Sequence, residues 1–449
     1  MIILFCCLTL YVFSSEIAIA IKGSFFQRAK VVQCGSIHPH KWRIIMRILL
    51  STIGSRGDVQ PLVALGLQLQ ELGQEVHMCV PPDFLDWIEG LSMTVTPMGP
   101  ELRSTGKAGP MAEPPTPEQV RQMIEGTVAA QFETITTAAQ GCEMILGATA
   151  LQIAAPSIAE KMGIPYFFAA YCPAVLPSPH HAPPVLVMRG DKPAPAMADY
   201  SELWNQDAKR WNNQWSSILN SHRTRLGLDR VSDVRSHILT KQPWLASDPT
   251  LGPWPDPADE AVFQTGDWFL KDERPLDPEL EAFLDAGESP VYFGFGSIRA
   301  PQGLSEVMIQ TARALKRRAI LLKGWADLSL VDNEPDCIAI GEVNHQALFK
   351  RVAAVVHHGG AGTTHAATRA GAPQVVIPQH YDQHYWAGQV QQLGIGTVHT
   401  ANTLTADSLM NVLERVLKPD MPARAHAVAT AVRSDGALIA AQRLITVAV

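Results

Sequence analysis

One stretch constrains the fold more than any other. Residues 353–387 read AAVVHHGGAGTTHAATRAGAPQVVIPQHYDQHYWA. An apolar strand (353–356) runs into a turn with glycine at 359, 360 and 362, and the turn opens a helix with Thr363 and Thr364 in its first turn. A second apolar strand (375–378) follows, with Asp382 and Gln383 beyond its end. Strand, glycine turn, helix and strand in so few residues describe a unit of a parallel sheet. Backbone N–H groups at a helix start, with no side chains in the way, form a seat for a diphosphate. A carboxylate and an amide close by suit the hydroxyls of a sugar. The same glycines also serve a tight turn needed for packing alone.

The alternation recurs along the chain. Strands fit residues 48–53, 75–80, 94–98, 144–148 and 165–171, and helices fit 117–140 and 151–162. Leu62, Leu65, Leu69 and Leu72 stand at helical spacing before Gly73. The pattern breaks at 173–197, a proline-rich loop containing His180 and His181. A helix with Trp204, Trp211 and Trp215 on one face follows, then short strands at 244–247 and 262–266. The second half starts with a helix at 279–286, for which Asp277 and Pro278 suit the cap and first position. Strands at 290–295, 320–323 and 337–340 and helices at 304–317 and 406–417 continue it, and a long helix from residue 423 ends it. The predicted architecture is α/β: two Rossmann-like domains facing each other across a cleft. The first spans 46–270, 271–278 is the linker, and 279–449 is the second, whose last helix is free to cross back to the first. Ligands then bind at the carboxyl ends of the strands.

A chain of 449 residues with 47% hydrophobic and 18% charged residues has the composition of a water-soluble globular protein. Its net charge of −7 argues against nucleic acid as a partner. Residues 1–45 carry five Lys/Arg and one Glu, a net of +4, which leaves −11 for the rest. That head is read as an extension the fold does not need: its apolar run at 2–13 lacks a basic flank and is too short to span a bilayer. The predicted location is cytoplasmic, or membrane-associated or secreted if the head acts as a signal. Cys79, Cys142, Cys172 and Cys337 show no metal spacing and are expected to be reduced and buried.

Two further strand ends carry candidate chemistry. Gly54-Ser55-Arg56-Gly57-Asp58 follows the first strand. Asp58 suits a general base that takes the proton of an acceptor hydroxyl, and equally a helix cap before Pro61. Arg56 suits a diphosphate or a solvated surface. Gly294-Phe295-Gly296-Ser297 suits a phosphate or a plain loop. Trp325 and the turn 342–345 are placed to flank a nucleotide base, although a core Trp explains Trp325 as well. The chain contains no Asp-x-Asp pair to hold a divalent ion and nucleotide, so no bound metal is expected.

Together, residues 46–61 (MRILLSTIGSRGDVQP), 291–297 (VYFGFGS) and 357–383 resemble the family 1 UDP-glycosyltransferases of the GT-B fold, closest to the glycopeptide-antibiotic (vancomycin-type) enzymes and related to sterol glucosyltransferases. The resemblance runs from residue 46 to the C-terminus. It implies that Asp58 is the general base and that Ser55, Arg56, Ser297, His357, Gly359, Gly360, Ala361, Gly362 and Thr363 surround the donor diphosphate. It further implies Val343 at the base, beside the Trp325 that position alone places there, and Asp382 and Gln383 at the donor sugar. Lys323 stands where relatives carry Arg and receives no role. The implied reaction is hexosyl transfer with inversion from a UDP- or TDP-sugar co-substrate, without metal or other cofactor.

The acceptor pocket falls to the first half. Its candidates are Trp204, Trp211, Trp215, His180 and His181, an aromatic lining suited to a lipophilic natural product, phenolic or sterol. The same tryptophans also suit the seam between helix and sheet. Membrane contact is expected only for a lipid acceptor, and oligomeric state is not legible. A non-catalytic nucleotide-sugar or lipid binder of this fold is the competing reading. A dinucleotide oxidoreductase would need a GxGxxG that the chain lacks.

Overall fold

The computed structural model describes residues 45–103, 116–149, 151–184, 199–256, 261–296, 303–325, 328–399 and 404–447. The expected extension therefore lies outside the described residues up to position 44, as do most of the proline-rich loop and Ser297.

Residues 46–449 form one compact unit built on two parallel sheets. The first contains β1 (Arg47–Thr52), β2 (Glu75–Val80), β3 (Thr94–Pro97), β4 (Met144–Ala148), β5 (Tyr166–Ala170), β6 (Trp244–Leu245) and β7 (Phe263–Gln264), in the order β3-β2-β1-β4-β5-β6-β7. The second contains β8 (Val291–Gly294), β9 (Ala319–Leu322), β10 (Cys337–Ile340), β11 (Ala354–His357), β12 (Gln374–Val376) and β13 (Gly396–Val398), in the order β10-β9-β8-β11-β12-β13. Each sheet reverses its strand order beside its own first strand. Thr52 at the end of β1 pairs with Ala148 of β4, and Gly294 at the end of β8 pairs with His357 of β11. The crevice for a ligand opens beyond the carboxyl ends at such reversal points. The two segments that carry the sequence motifs begin there.

The strands are apolar runs because helices cover both faces. Leu50 and Met78 face one core of the first sheet, and Leu49 and Cys79 the other. In the second sheet Val356 and Phe293 face one side, and Val355 and Tyr292 the other. A fifth cluster joins the halves: Cys172 and Leu251 from the first meet Trp386, Val390 and Ala425 from the second. All four cysteines of the described residues are free and buried. Among the described residues no helix is long and apolar enough to cross a membrane.

Three expectations need correction. The helix after β1 begins at Arg56, with Ser55 as its N-cap, so Asp58 is the third helical residue and Pro61 lies inside the helix. The helix assigned to 151–162 begins only at Ala155. The long terminal helix is two, Asp420–Ala429 and Gly436–Val447. The break has a physical cause. The Arg433 N–H donates to Asp248 Oδ2 of the first half at 2.8 Å, and the chain crosses so tightly that a Cβ on Gly436 would lie 2.5 Å from the Gly266 carbonyl. The last helix then buries Ala437, Ala440, Ala441 and Leu444 with Val59, Leu62 and Leu65 of the first half. The helices Val234–Leu239 and Gln383–Gln392 and strand β13 had no expectation from sequence.

Candidate active site

A cleft of about 1930 Å³ lies between the carboxyl ends of the two sheets. Asp58 reaches it from the first half. The backbone turns at Gly54 (φ +147°), where a Cβ would lie 2.1 Å from Asp58 Oδ2. The missing side chain lets the carboxylate fold back over the turn. There it accepts the Ser55 N–H at 2.7 Å, so the N-cap expected of Asp58 is Ser55 instead, and Asp58 closes a capping box from the third helical position. The Tyr171 hydroxyl donates to the Asp58 carbonyl at 3.0 Å. Burial, opposed by the Ser55 hydrogen bond and aided by the charge of Asp382, pushes the Asp58 carboxyl up to about 7. Capping and proton transfer are therefore compatible: one oxygen is tied to the backbone while the group lines the cleft.

Arg56 does not wait as a free cation. Its Nη1 pairs with Glu342 Oε1 of the second half at 3.0 Å, its Nε donates to Gln60 Oε1 at 3.0 Å, and its guanidinium lies 3.9 Å from the Trp87 ring centroid.

On the opposite wall, β11 leads into Gly359 (φ +90°), where a Cβ would lie 2.7 Å from Val376 Cγ1. The helix Ala361–Arg369 follows. Its first amide bonded back within the turn is Thr364 N–H to Gly360 O, at 3.0 Å. The amides of Ala361, Gly362 and Thr363 precede that bond, and all three residues line the cleft.

The two histidines before this turn part company. His357 is fully buried. Its Nδ1 accepts the Gly359 N–H at 3.1 Å, so its Nε2 donates to Gln374 Oε1 at 2.9 Å. Desolvation pushes it down to about 3. It braces the turn from beneath and has no ring atom left for a ligand. His358 lines the cleft instead, and burial, opposed by a hydrogen bond with the Gly294 backbone, pushes it down to about 4. Strand alternation carries this signal: β11 continues through His357, which shares the inward face of Val355, and His358 is the first residue past the strand.

Asp382 and Gln383 line the cleft where the helix Gln383–Gln392 begins. Asp382 Oδ2 accepts Trp386 Nε1–H at 3.0 Å, and desolvation pushes its carboxyl up to about 6. Gln383 Oε1 accepts the N–H groups of Gln379 and His380, at 2.7 and 3.2 Å. That leaves its Nε2 as the donor for a ligand. Ser55, Gly360, Trp325 and Val343 also line the cleft, and so does Lys323, to which sequence gave no role. Gly359 lies beneath the turn and is not part of the lining.

The first half contributes Trp204, Trp211 and Trp215. Trp204 and Trp215 are buried and Trp211 is half-buried, so these rings serve both the seam and the cleft. Between them lies Asp207, paired with Arg210 at 2.6 Å and Arg235 at 3.2 Å. His180 and His181 do not line the cleft. The His181 ring is wedged behind it against Trp204 and Trp254, at centroid distances of 5.9 and 6.1 Å.

Backbone amides at a helix start opposite a carboxylate, across a cleft between two parallel sheets, are an arrangement suited to enzymes that transfer a group from a nucleotide sugar. Comparison with known proteins agrees. Residues 48–178 match the model of the glycosyltransferase family 28 N-terminal domain, and residues 307–438 match that of the erythromycin biosynthesis protein CIII-like C-terminal domain. Glycosyltransferase GtfE of Amycolatopsis orientalis is 49% identical over 401 residues, covering 89% of this chain and 97% of that protein. Vancomycin aglycone glucosyltransferase of the same organism is 48% identical over 402 residues, with the same shares. The crystal structure of the glycotransferase of kitacinnamycin superposes with a TM-score of 0.68 over 90% of this chain and 99% of that one. At 19% identity that likeness speaks for the fold alone. The chain belongs to the GT-B glycosyltransferases, in the group of the glycopeptide-antibiotic enzymes.

Proposed function

We propose that this glycosyltransferase moves a hexose from a UDP- or TDP-sugar to a phenolic hydroxyl of a large aromatic natural-product aglycone, with inversion and without a metal ion. The observation that carries this reading is the single cleft shared by Asp58 and the start of the helix Ala361–Arg369. Its volume of about 1930 Å³ is roughly twice the upper end of a one-ligand pocket, about 1,000 Å³, which suits a nucleotide sugar and a sizeable acceptor bound together. The tryptophans supply faces for aromatic rings. The charged lining around them (Asp83, Asp86, Arg103, Asp207 and Arg235) favours a polar phenolic scaffold over a sterol.

In this mechanism Asp58 takes the proton of the acceptor hydroxyl. The oxygen attacks the anomeric carbon from the face opposite the diphosphate, and the carbon–oxygen bond to the diphosphate breaks with its electron pair. The negative charge gained by the leaving group meets the amides of Ala361, Gly362 and Thr363, the helix dipole and neutral His358. This seat does the work that other transferases assign to a divalent cation, so no cofactor is called for. Asp382 and Gln383 hold sugar hydroxyls, and Trp325 and Val343 flank the base. A non-catalytic binder needs the seat and no base; a carboxyl held near neutral pH in the cleft supports catalysis.

The test is a mass-spectrometric screen of UDP- and TDP-hexoses against vancomycin aglycone, simple polyphenols and sterols, with and without a chelator. Glycosylated phenolic products that persist in chelator support the proposal. Products on sterols alone, or chelator-sensitive turnover, overturn its acceptor or its metal-free part.

A further inference from the structure

Tyr381 is the residue before Asp382, and its backbone sits at φ +57°. A non-glycine residue in the left-handed region costs of order 1–2 kcal/mol, and a bulky aromatic has no local hydrogen bond to offset this. The strained turn places Asp382 at the head of its helix and Tyr381 on the cleft wall. No protein partner for the hydroxyl is found among the described residues, and it is not sealed from solvent. Beside burial, the acidic groups near enough to act on the phenol are Asp382, Cys172, Asp58 and Asp207. Three of these four belong to the first half, and the mechanism above leaves Tyr381 without a task.

We propose that Tyr381 is an acceptor-positioning residue: the donor half extends its phenol across the cleft to contact the acceptor beside the hydroxyl that Asp58 deprotonates. Its neighbours keep the phenol protonated, because burial and the nearby acidic groups all disfavour a phenolate. It therefore acts as a hydrogen-bond donor and aromatic wall, and it does not compete with Asp58 for the proton. The strained backbone is what aims it. With an ordinary αR or β conformation at this position, ring and Asp382 carboxylate would leave on different headings.

This inference rests on the reading of the first-half cleft as the acceptor pocket, and the experiment separates the two. Tyr381→Phe, Tyr381→Gly and Trp211→Leu are assayed with UDP-glucose and vancomycin aglycone. UDP affinity is measured by calorimetry, and UDP-glucose hydrolysis without acceptor is measured in parallel. Tyr381→Phe is expected to lower kcat/KM for the acceptor about five- to tenfold, the value of one hydrogen bond. UDP affinity, donor KM and hydrolysis should stay unchanged. Tyr381→Gly accepts the same φ without strain, should therefore fold, and is expected to lose more of the acceptor term. A change in donor KM or UDP affinity with the acceptor term intact overturns the proposal, and so does no change at all in Tyr381→Phe while Trp211→Leu raises acceptor KM. If none of the three variants moves acceptor kinetics, or the wild type does not use the aglycone, the pocket assignment fails and takes this inference with it.

Discussion

The Asp382 carboxylate, on the second sheet's side of the cleft, adds its charge to the burial of Asp58 on the first sheet's side and helps to hold the Asp58 carboxyl at about 7. The carboxyl proposed as the base in one half is thus tuned by the carboxylate proposed to hold the donor sugar in the other. A base is most effective when its pKa lies near the working pH. The kcat/KM for the acceptor should therefore rise with pH through an ionisation near 7. The same raised value has a stability sign. Between 3.8 and about 7 the folded chain binds the Asp58 proton more tightly than the unfolded chain does, so ionising it takes stability away as pH rises through that window. Asp58→Asn should remove the limb and lower turnover at least about 100-fold with UDP affinity nearly intact. A retained limb would assign the ionisation to another group.

Replacing Asp382 by Asn removes a like charge, so the Asp58 pKa should fall. The acid limb of the profile then moves to lower pH, while donor-sugar contacts weaken and the plateau drops. The two effects are separable because one is a shift along the pH axis and the other a change of height. A limb that stays in place in Asp382→Asn shows that burial alone sets the value.

Gly54→Ala tests the local geometry without touching a charged group. The new methyl would fall 2.1 Å from Asp58 Oδ2, at a φ of +147° that L side chains rarely adopt. The carboxylate must swing away from the Ser55 amide. Turnover should fall by about the factor seen in Asp58→Asn, on the order of 100-fold. UDP binding, proposed for the other wall, should be unchanged by calorimetry. Near-normal turnover would mean that the carboxylate works from a different position.

The adjacent histidines should fail differently. His357→Ala empties a buried site and strands the Gly359 N–H and Gln374 Oε1, so it should cost about 2–4 kcal/mol of stability, seen as a lower Tm. His358→Ala removes a ring from the cleft wall and should weaken UDP binding about tenfold with little change in Tm. Because burial pushes His358 down to about 4, its contribution should not titrate between about pH 6 and 8. Equal losses of Tm and affinity in both variants would show the turn to act as one body.

Much of this was open to a reader of the sequence, and the reason is burial. Residues 75–80 and 144–148 are strands from end to end, because inner parallel strands are buried on both faces and announce themselves as runs, and the short apolar run at 337–340 marks the edge strand as well. The glycine turn at 359–362 was equally legible, since few sequences join strand to helix that way. What stayed hidden depends on partners distant in the chain. The Arg56–Glu342 pair joins residues with no pattern in common. The break between Ala429 and Gly436 is set by Asp248 and Gly266 of the other half. The positive φ of Tyr381 follows no rule of composition, because an aromatic residue there is paid for by the surrounding fold.

The Arg369–Asp267 pair carries the last prediction, because it fixes the helix proposed to seat the diphosphate to the first half. Arg369 ends the helix Ala361–Arg369, and its Nη2 meets Asp267 Oδ1 at 2.5 Å with both side chains 14% exposed. The guanidinium also lies 4.4 Å from the Phe269 ring centroid. Removing one partner of a largely buried pair leaves the other charge desolvated and alone. Arg369→Ala should therefore cost about 2–3 kcal/mol, somewhat less than a fully buried pair because solvent still reaches both groups. The double variant with Asp267→Asn should be more stable than additivity predicts, since no orphaned charge remains. Strict additivity in thermal or denaturant unfolding would show that the two residues act independently and that the seat is held by apolar packing around Trp386 alone.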